Sequence, residues 1–137
     1  MRSKPKEFRY AIALDAGGGL CTESGAGLVT PPEWTPEHLL LAALVRCSLD
    51  SLRHHAGRAE VEVTGASAGA SALVTRRESD GRYAVVEASV DLAVQLDPEP
   101  GPDALAELLA KAERDCFVGA SLTAPPAYRW VVNGRQI

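Results

Sequence analysis

The chain has 137 residues, of which 46% are hydrophobic and 23% charged, and its net charge is −4. This length suits a single domain over residues 1–137. The negative charge argues against a nucleic-acid partner, since phosphate binding requires clustered Lys and Arg. The longest apolar run, 39–45, is too short to cross a bilayer, and no apolar segment of signal-peptide length follows the basic N-terminus. We therefore expect a cytoplasmic protein with no membrane partner.

Three short strands are predicted at the start of the chain, over residues 8–14, 20–23 and 27–29. In the first, apolar side chains at every second position alternate with Arg and Ala. A glycine-rich turn at 15–19 and a proline-containing loop at 30–34 bound the later strands. Together the three strands indicate a small meander.

A long helix is predicted over residues 35–55, ending near Gly57. Thr35 suits the N-cap, and Pro36 suits the first helical position because its missing N–H would be unpaired there anyway. Residues 39–45 carry no charged or hydrogen-bonding side chain, so we expect this half of the helix to be buried on every side. One stripe at helical spacing contains Leu40, Ala43, Leu44, Cys47, Ser51 and His54.

Strands and helices then follow in separate blocks. Strands are predicted over 60–66, 70–78 and 83–96, with a break or bulge within 65–69 and a type I′ turn at Asp80-Gly81. The strand at 83–96 alternates, with its even-numbered residues on the buried face.

After a proline-rich connector comes a helix over 103–116, and the last strand is 127–132. The helix has a buried stripe of Leu105, Leu108, Leu109, Ala112 and Cys116. Segregated strands and helices favour an α+β fold with antiparallel sheets.

The three cysteines are Cys21, Cys47 and Cys116. Their odd number and wide spacing argue against a disulfide framework, and the absence of any C-x-x-C leaves no zinc ribbon or thioredoxin motif. Cys21 is expected to be at least half-buried and to have no role.

Cys47 and Cys116 lie on the buried stripes of the two long helices. Either one alone is more often an inert core residue, but if the helices pack together the sulfurs can meet as a peroxide-reactive thiol and its resolving partner.

The residues around both cysteines resemble a known family. Residues 35–40, TPEHLL, followed by Cys47, resemble the NPE-x-L … A-x-x-x-x-C signature of the OsmC and organic hydroperoxide resistance proteins. Residues 112–118, AERDCFV, resemble their second motif. Thr35 stands where that signature usually has asparagine, and both residues can cap a helix.

The resemblance implies an OsmC-like α+β fold in which antiparallel sheets wrap a long central helix within an intertwined homodimer. It implies that Cys47 attacks a small organic hydroperoxide and becomes a sulfenic acid, and that Cys116 condenses with it to a disulfide. A dithiol reductant, either of lipoyl type or from the thiol pool, would restore the thiols. Glu37 matches a glutamate that orients an arginine beside the thiolate. No cofactor and no metal is implied.

Glu37 precedes Cys47 by ten residues, which is ~15 Å along a helix. Either the first turn folds back as a loop, or Glu37 serves the site of the other subunit; a plain first-turn carboxylate favoured by the helix dipole is the simpler alternative. The family's arginine has no counterpart in the turn at 15–19. Arg9 is the N-terminal strand candidate, and Arg46 points ~100° away from its neighbour Cys47.

Three interpretations therefore stay open. The first is a thiol peroxidase that uses Cys47 and Cys116. The second is a catalytically weak or inactive dimeric binding protein with an apolar interface pocket; the missing arginine and the apolar surroundings of Cys47, which would raise a thiol pKa, motivate it. The third is a structural domain with ordinary core cysteines.

Overall fold

A computed structural model describes residues 3–137, and the chain divides into two compact units after Thr35. The first unit contains β1 (Ile12–Leu14), β2 (Leu20–Thr22) and β3 (Gly27–Leu28), paired antiparallel in that order. The predicted meander is confirmed, although β1 begins at Ile12 rather than at residue 8. The assignment of residues 1–137 to a single domain stays a prediction.

Large apolar side chains of the first unit are exposed. A meander of two- and three-residue strands offers little surface on which to bury them. Cys21 on β2 is also exposed, so the expectation that it is at least half-buried was wrong. The exposed apolar residues of this unit are Phe8, Tyr10, Ile12, Leu14, Leu28, Val29 and Trp34.

The second unit begins with the long helix α1 (Pro36–Arg58). Its buried residues are Leu44, Ser48, Ser51, Leu52 and Ala56. The predicted stripe was therefore wrong in part, because Ala43 and His54 are exposed. Residues 39–45 are not buried on every side either, since one chain covers only one side of this half of α1.

A four-stranded sheet has the order β4 (Glu62–Arg76), β5 (Tyr83–Asp97), β6 (Ala127–Val132) and β7 (Arg135–Gln136). The strands predicted over 60–66 and 70–78 are one continuous strand, β4, which contains a bulge between Val63 and Gly65. The β5–β6 pair is parallel, and the other pairs are antiparallel.

The turn between β4 and β5 differs from the predicted type I′ turn. Gly81 has a φ of 71°, but among the described residues other than glycine only Glu60 and Asn133 have positive φ. Asp80 instead accepts hydrogen bonds from the Arg77 guanidinium and from the Arg82 backbone N–H. These bonds stabilise a longer turn, which the Gly81 N–H closes on the Arg77 carbonyl.

The core lies between one face of the sheet and the helices. From residue 88 onward, alternate residues of β5 are buried, as predicted. The buried apolar side chains of α2 (Pro102–Arg114) belong to the same core, and α2 packs on α1. The α+β class is confirmed. In residues 3–137, no helix combines the length and the apolar character needed to cross a membrane.

Candidate active site

Cys47 and Cys116 come together where α1 meets the end of α2. Cys47 is half-buried on α1, and Cys116 is fully buried. The predicted helix over 103–116 ends early, at Arg114, so Cys116 lies at the N-cap of a separate short helix, α3 (Phe117–Ala120). Both thiols are free, and each lies near enough to the other to affect its pKa.

Two consecutive backbone N–H groups of α3 point at the two sulfur atoms. The Val118 N–H donates to Cys47 Sγ at 3.5 Å, and the Gly119 N–H donates to Cys116 Sγ at 3.4 Å. The first N–H groups of a helix have no partner within it, so they are available to an acceptor. One short helix therefore holds both thiols.

The surroundings shift the two thiol pKa values in opposite directions. Burial raises the pKa of Cys116, but the Gly119 N–H, which donates to its sulfur, and the polar side chains of Ser48, Cys47 and Tyr128 together outweigh burial and lower it. Burial also raises the pKa of Cys47, the neighbouring Cys116 adds to that effect, and the Val118 N–H opposes it only in part. Within one chain, these surroundings therefore favour the thiolate of Cys116 more than that of Cys47.

Ser48 and Tyr128 complete a buried polar cluster around Cys116, and sequence reasoning missed both. Ser48 Oγ lies 3.6 Å from Cys116 Sγ and donates to the Leu44 carbonyl at 2.8 Å. Burial raises the pKa of Tyr128 to about 12. Ser48 carries a weak signal in the sequence, as a polar residue one position after Cys47; Tyr128 carries none, because only the fold brings β6 to this point.

Two polar contacts fix the end of α2 against α1. His55 Nε2 lies 2.8 Å from Asp115 Oδ2, and Ser51 Oγ donates to the Ala112 carbonyl at 2.7 Å. Hydrogen bonds from Arg114 and, to a smaller extent, from His55 lower the pKa of Asp115 to about 2. Because Asp115 precedes Cys116, these contacts hold the backbone that carries the buried thiol.

Glu37 is not brought to the cysteines of its own chain. Glu37 is exposed in the first turn of α1, which is helical from Pro36 onward. A rise of ~15 Å then separates Glu37 from Cys47, so the fold-back loop is excluded. Arg9 belongs to the first unit, where it is exposed and pairs with Glu7 at 3.3 Å. The catalytic roles of both residues stay predictions.

Metal-ligating residues do not cluster in this site. The described residues contain no group of three or more His, Cys, Asp or Glu side chains placed to hold a metal ion. The site itself consists of two neighbouring thiols, of which Cys47 is half-exposed and Cys116 is buried among polar groups.

Several solved structures share this fold. An OsmC-like protein of unknown function from Vibrio cholerae is 14% identical over 91% of this chain and 100% of its own, with a TM-score of 0.74. The organic hydroperoxide resistance protein OhrB of Bacillus subtilis is 19% identical over 92% and 98%, with a TM-score of 0.56. A putative organic hydroperoxide resistance protein from V. cholerae, which has captopril bound in one of its active sites, is 20% identical over 99% of both chains, with a TM-score of 0.63.

Identities this low establish the fold alone. The sequence matches none of the curated proteins with which it was compared. The family model described as OsmC-like protein matches residues 29–130, which include both cysteines and most of the second unit. The chain therefore belongs to the OsmC-like family.

Proposed function

We propose that this protein is a thiol peroxidase that reduces small organic hydroperoxides with Cys47 and Cys116. The observation that carries the proposal is that two free thiols lie side by side, each held by one of two consecutive backbone N–H groups. The half-buried position of Cys47 leaves it the more accessible sulfur. The names of two of the structural relatives, which are organic hydroperoxide resistance proteins, favour the same class of substrate.

The reaction has three steps. The Cys47 thiolate attacks the hydroperoxide, the O–O bond breaks, and the alcohol leaves with a proton while Cys47 becomes a sulfenic acid. The Cys116 thiolate then attacks the Cys47 sulfur, the S–O bond breaks, and the departing hydroxide takes a proton to become water. A dithiol, of lipoyl type or from the thiol pool, reduces the disulfide by thiol–disulfide exchange and is itself oxidised.

The first step needs a positive group near Cys47, because burial raises the pKa of this thiol. We propose that a second copy of the chain supplies it. The straight first turn of α1 keeps Glu37 away from its own Cys47, so Glu37 and Arg9 would act in the site of the partner subunit. The exposed apolar residues of the first unit and of residues 39–45 favour the same homodimer.

The proposal is tested by counting the thiols that the hydroperoxide oxidises. Purified protein treated with cumene hydroperoxide should lose two thiols and two hydrogen atoms of mass, and a dithiol should restore both. Cys47→Ser should abolish alcohol formation, Cys116→Ser should stop the reaction at the sulfenic acid, and Cys21→Ser, which removes an exposed thiol outside the site, should change neither. Unchanged turnover in Cys47→Ser would reject the peroxidase.

A second candidate function is a dimeric binding protein without turnover, and the raised pKa of Cys47 favours it. The pH dependence of Cys47 alkylation in the dimer separates the two functions. An apparent pKa well below the ~8.5 of a free cysteine supports the peroxidase, and a value at or above it supports binding alone.

A further inference from the structure

The hydroxyl of Tyr128 has no ordinary hydrogen bond although it is fully buried. Among the described residues it is the one buried side-chain oxygen or nitrogen that lacks a partner at normal hydrogen-bond geometry. Ser48, Cys116 and Glu113 are near enough to affect its pKa. Buried hydroxyls nearly always find a partner, so an orphaned one next to a thiol calls for a chemical explanation.

Three contacts fix the position of the Tyr128 hydroxyl near Cys116. A Cβ added to Gly119 would lie only 3.0 Å from Tyr128 Oη and 3.4 Å from Cys116 Sγ, so glycine leaves room for the approach. The Tyr128 ring stacks on Trp130, with centroids 6.3 Å apart and planes 11° apart. Trp130 Nε1 in turn donates to Glu113 Oε2 at 3.0 Å, which ties the stack to α2.

Few of the polar groups around Cys116 have a hydrogen to donate to its sulfur. The Ser48 hydroxyl uses its hydrogen on the Leu44 carbonyl, so Ser48 has lone pairs to offer Cys116 rather than a proton. The Gly119 N–H is one donor already aimed at Cys116 Sγ. Tyr128 stays protonated at physiological pH, because its pKa is raised to about 12, and it therefore carries an unused donor.

We propose that Tyr128 donates a hydrogen bond to the sulfur of Cys116 and so holds Cys116 as the ready nucleophile that closes the disulfide. This inference rests on the proposed function and assigns Tyr128 a role in its second step. When Cys116 attacks oxidised Cys47, its sulfur gives an electron pair to the new S–S bond, and the hydrogen bond weakens as the negative charge leaves. Tyr128 keeps its proton throughout.

The hydrogen bond from Tyr128 to Cys116 also affects how the disulfide is reduced. In thiol–disulfide exchange, the sulfur whose thiol has the lower pKa leaves faster. With Tyr128 and Gly119 stabilising its thiolate, Cys116 is the better leaving group, and Cys47 is the sulfur that a reductant can reach. The incoming dithiol therefore forms its mixed disulfide with Cys47 and releases Cys116.

The experiment titrates Cys116 directly. In a Cys21→Ser/Cys47→Ser background, the ultraviolet absorbance of the thiolate reports on Cys116 alone, without any peroxide. Tyr128→Phe should raise the apparent pKa of Cys116 by about one unit, which is about a tenfold loss of thiolate below that pKa. Tyr83→Phe, which removes an exposed hydroxyl elsewhere, is the matched control and should leave the titration unchanged.

Replacing tyrosine with 3-fluorotyrosine gives a second readout in the intact fold. The fluorinated phenol is a stronger donor, so the pKa of Cys116 should move down instead of up, and Tyr128→Phe should remove that response. A titration of Cys116 that neither change moves overturns the role of Tyr128. Because no hydroperoxide is used, failure of the peroxidase proposal would appear in the thiol count and not in this titration.

Discussion

Cys47 and Cys116 lie side by side at the start of α3 but differ in their tendency to ionise. Their meeting was foreseeable because the two long helices pack together, although Cys116 lies just beyond the end of α2, at the N-cap of α3, and not on the stripe of α2. The direction of their pKa shifts was not predictable, since it depends on N–H groups of α3 and on Tyr128, which only the folded chain brings near. Sequence periodicity predicts which residues share a face, but it contains no record of which backbone donors lie opposite.

Substitution of Gly119 tests how closely the side chains around the two cysteines are packed. In Gly119→Ala the new methyl group would meet Tyr128 Oη at 3.0 Å, so we expect a loss of about 1–3 kcal/mol in the free energy of unfolding. Gly57→Ala is the matched control, because its Cβ would meet nothing within 4 Å. There the helix should gain about 0.5–1 kcal/mol. Urea unfolding measures both, and equal stability of Gly119→Ala and wild type would contradict the packing.

Asp115 makes the free energy of unfolding decrease as the pH falls through the acid range. Its carboxyl pKa is lowered to about 2 in the folded state, from about 3.9 in the unfolded chain, so its contribution is present above about pH 4 and is lost as the pH falls towards 2. We expect Asp115→Asn to destabilise by up to about 1 kcal/mol at neutral pH, because the side chain is 37% exposed and solvent screens its ion pairs.

The difference between Asp115→Asn and wild type should disappear between about pH 4 and pH 2. Denaturant unfolding over that pH range measures it. Asp91→Asn, which breaks a more exposed pair with Arg129, is the control and should have a smaller effect. A difference that stays constant with pH would contradict the stabilising role of the Asp115 carboxylate.

Among the elements, the helices and the alternating strand β5 follow from hydrophobic periodicity, whereas β4 does not. Residues 65–69 are small and include two glycines, which favours a break, yet β4 continues through them because β5 supplies a complete ladder of partners. The parallel pairing of β5 with β6 was also not foreseen. It requires a long crossover, which α2 and α3 provide.

The packing of α1 on the sheet depends on a few fully buried side chains. Leu52 is 0% exposed, whereas Leu73 on β4 is 48% exposed. We expect Leu52→Ala to cost about 2–5 kcal/mol of unfolding free energy, because it leaves a cavity in the core. Leu73→Ala should cost well under half as much. Thermal unfolding followed by circular dichroism compares them, and similar losses for the two variants would contradict this picture of the core.

For the whole molecule, the exposed apolar surface is the feature that one chain leaves unexplained. The first half of α1 presents Ala42 and Ala43 to solvent, although the sequence there reads as core. The sequence predicts burial correctly only if the burying surface belongs to another copy. A hydrophobic sequence pattern predicts that a residue is buried, but it does not say whether its own chain or a second copy buries it.

A charge placed on that surface should dissociate the proposed homodimer. We expect Ala43→Glu to raise the dimer dissociation constant at least about tenfold, because each copy would bury an unpaired carboxylate. Ala110→Glu, at an exposed alanine of α2, is the matched control and should leave the association unchanged. Analytical ultracentrifugation over a range of concentrations measures both, and equal association of the two variants would exclude this face from the interface.

The amides of Val118 and Gly119 follow one another in the chain, and each holds a different sulfur atom. A disulfide brings its two sulfur atoms to about 2 Å and leaves them poor acceptors. Hydrogen exchange at these two amides should therefore accelerate when the protein is oxidised and slow again on reduction. Such a signal would let spectroscopists follow the redox state of the buried pair through its backbone, in a protein whose sulfur atoms carry no label.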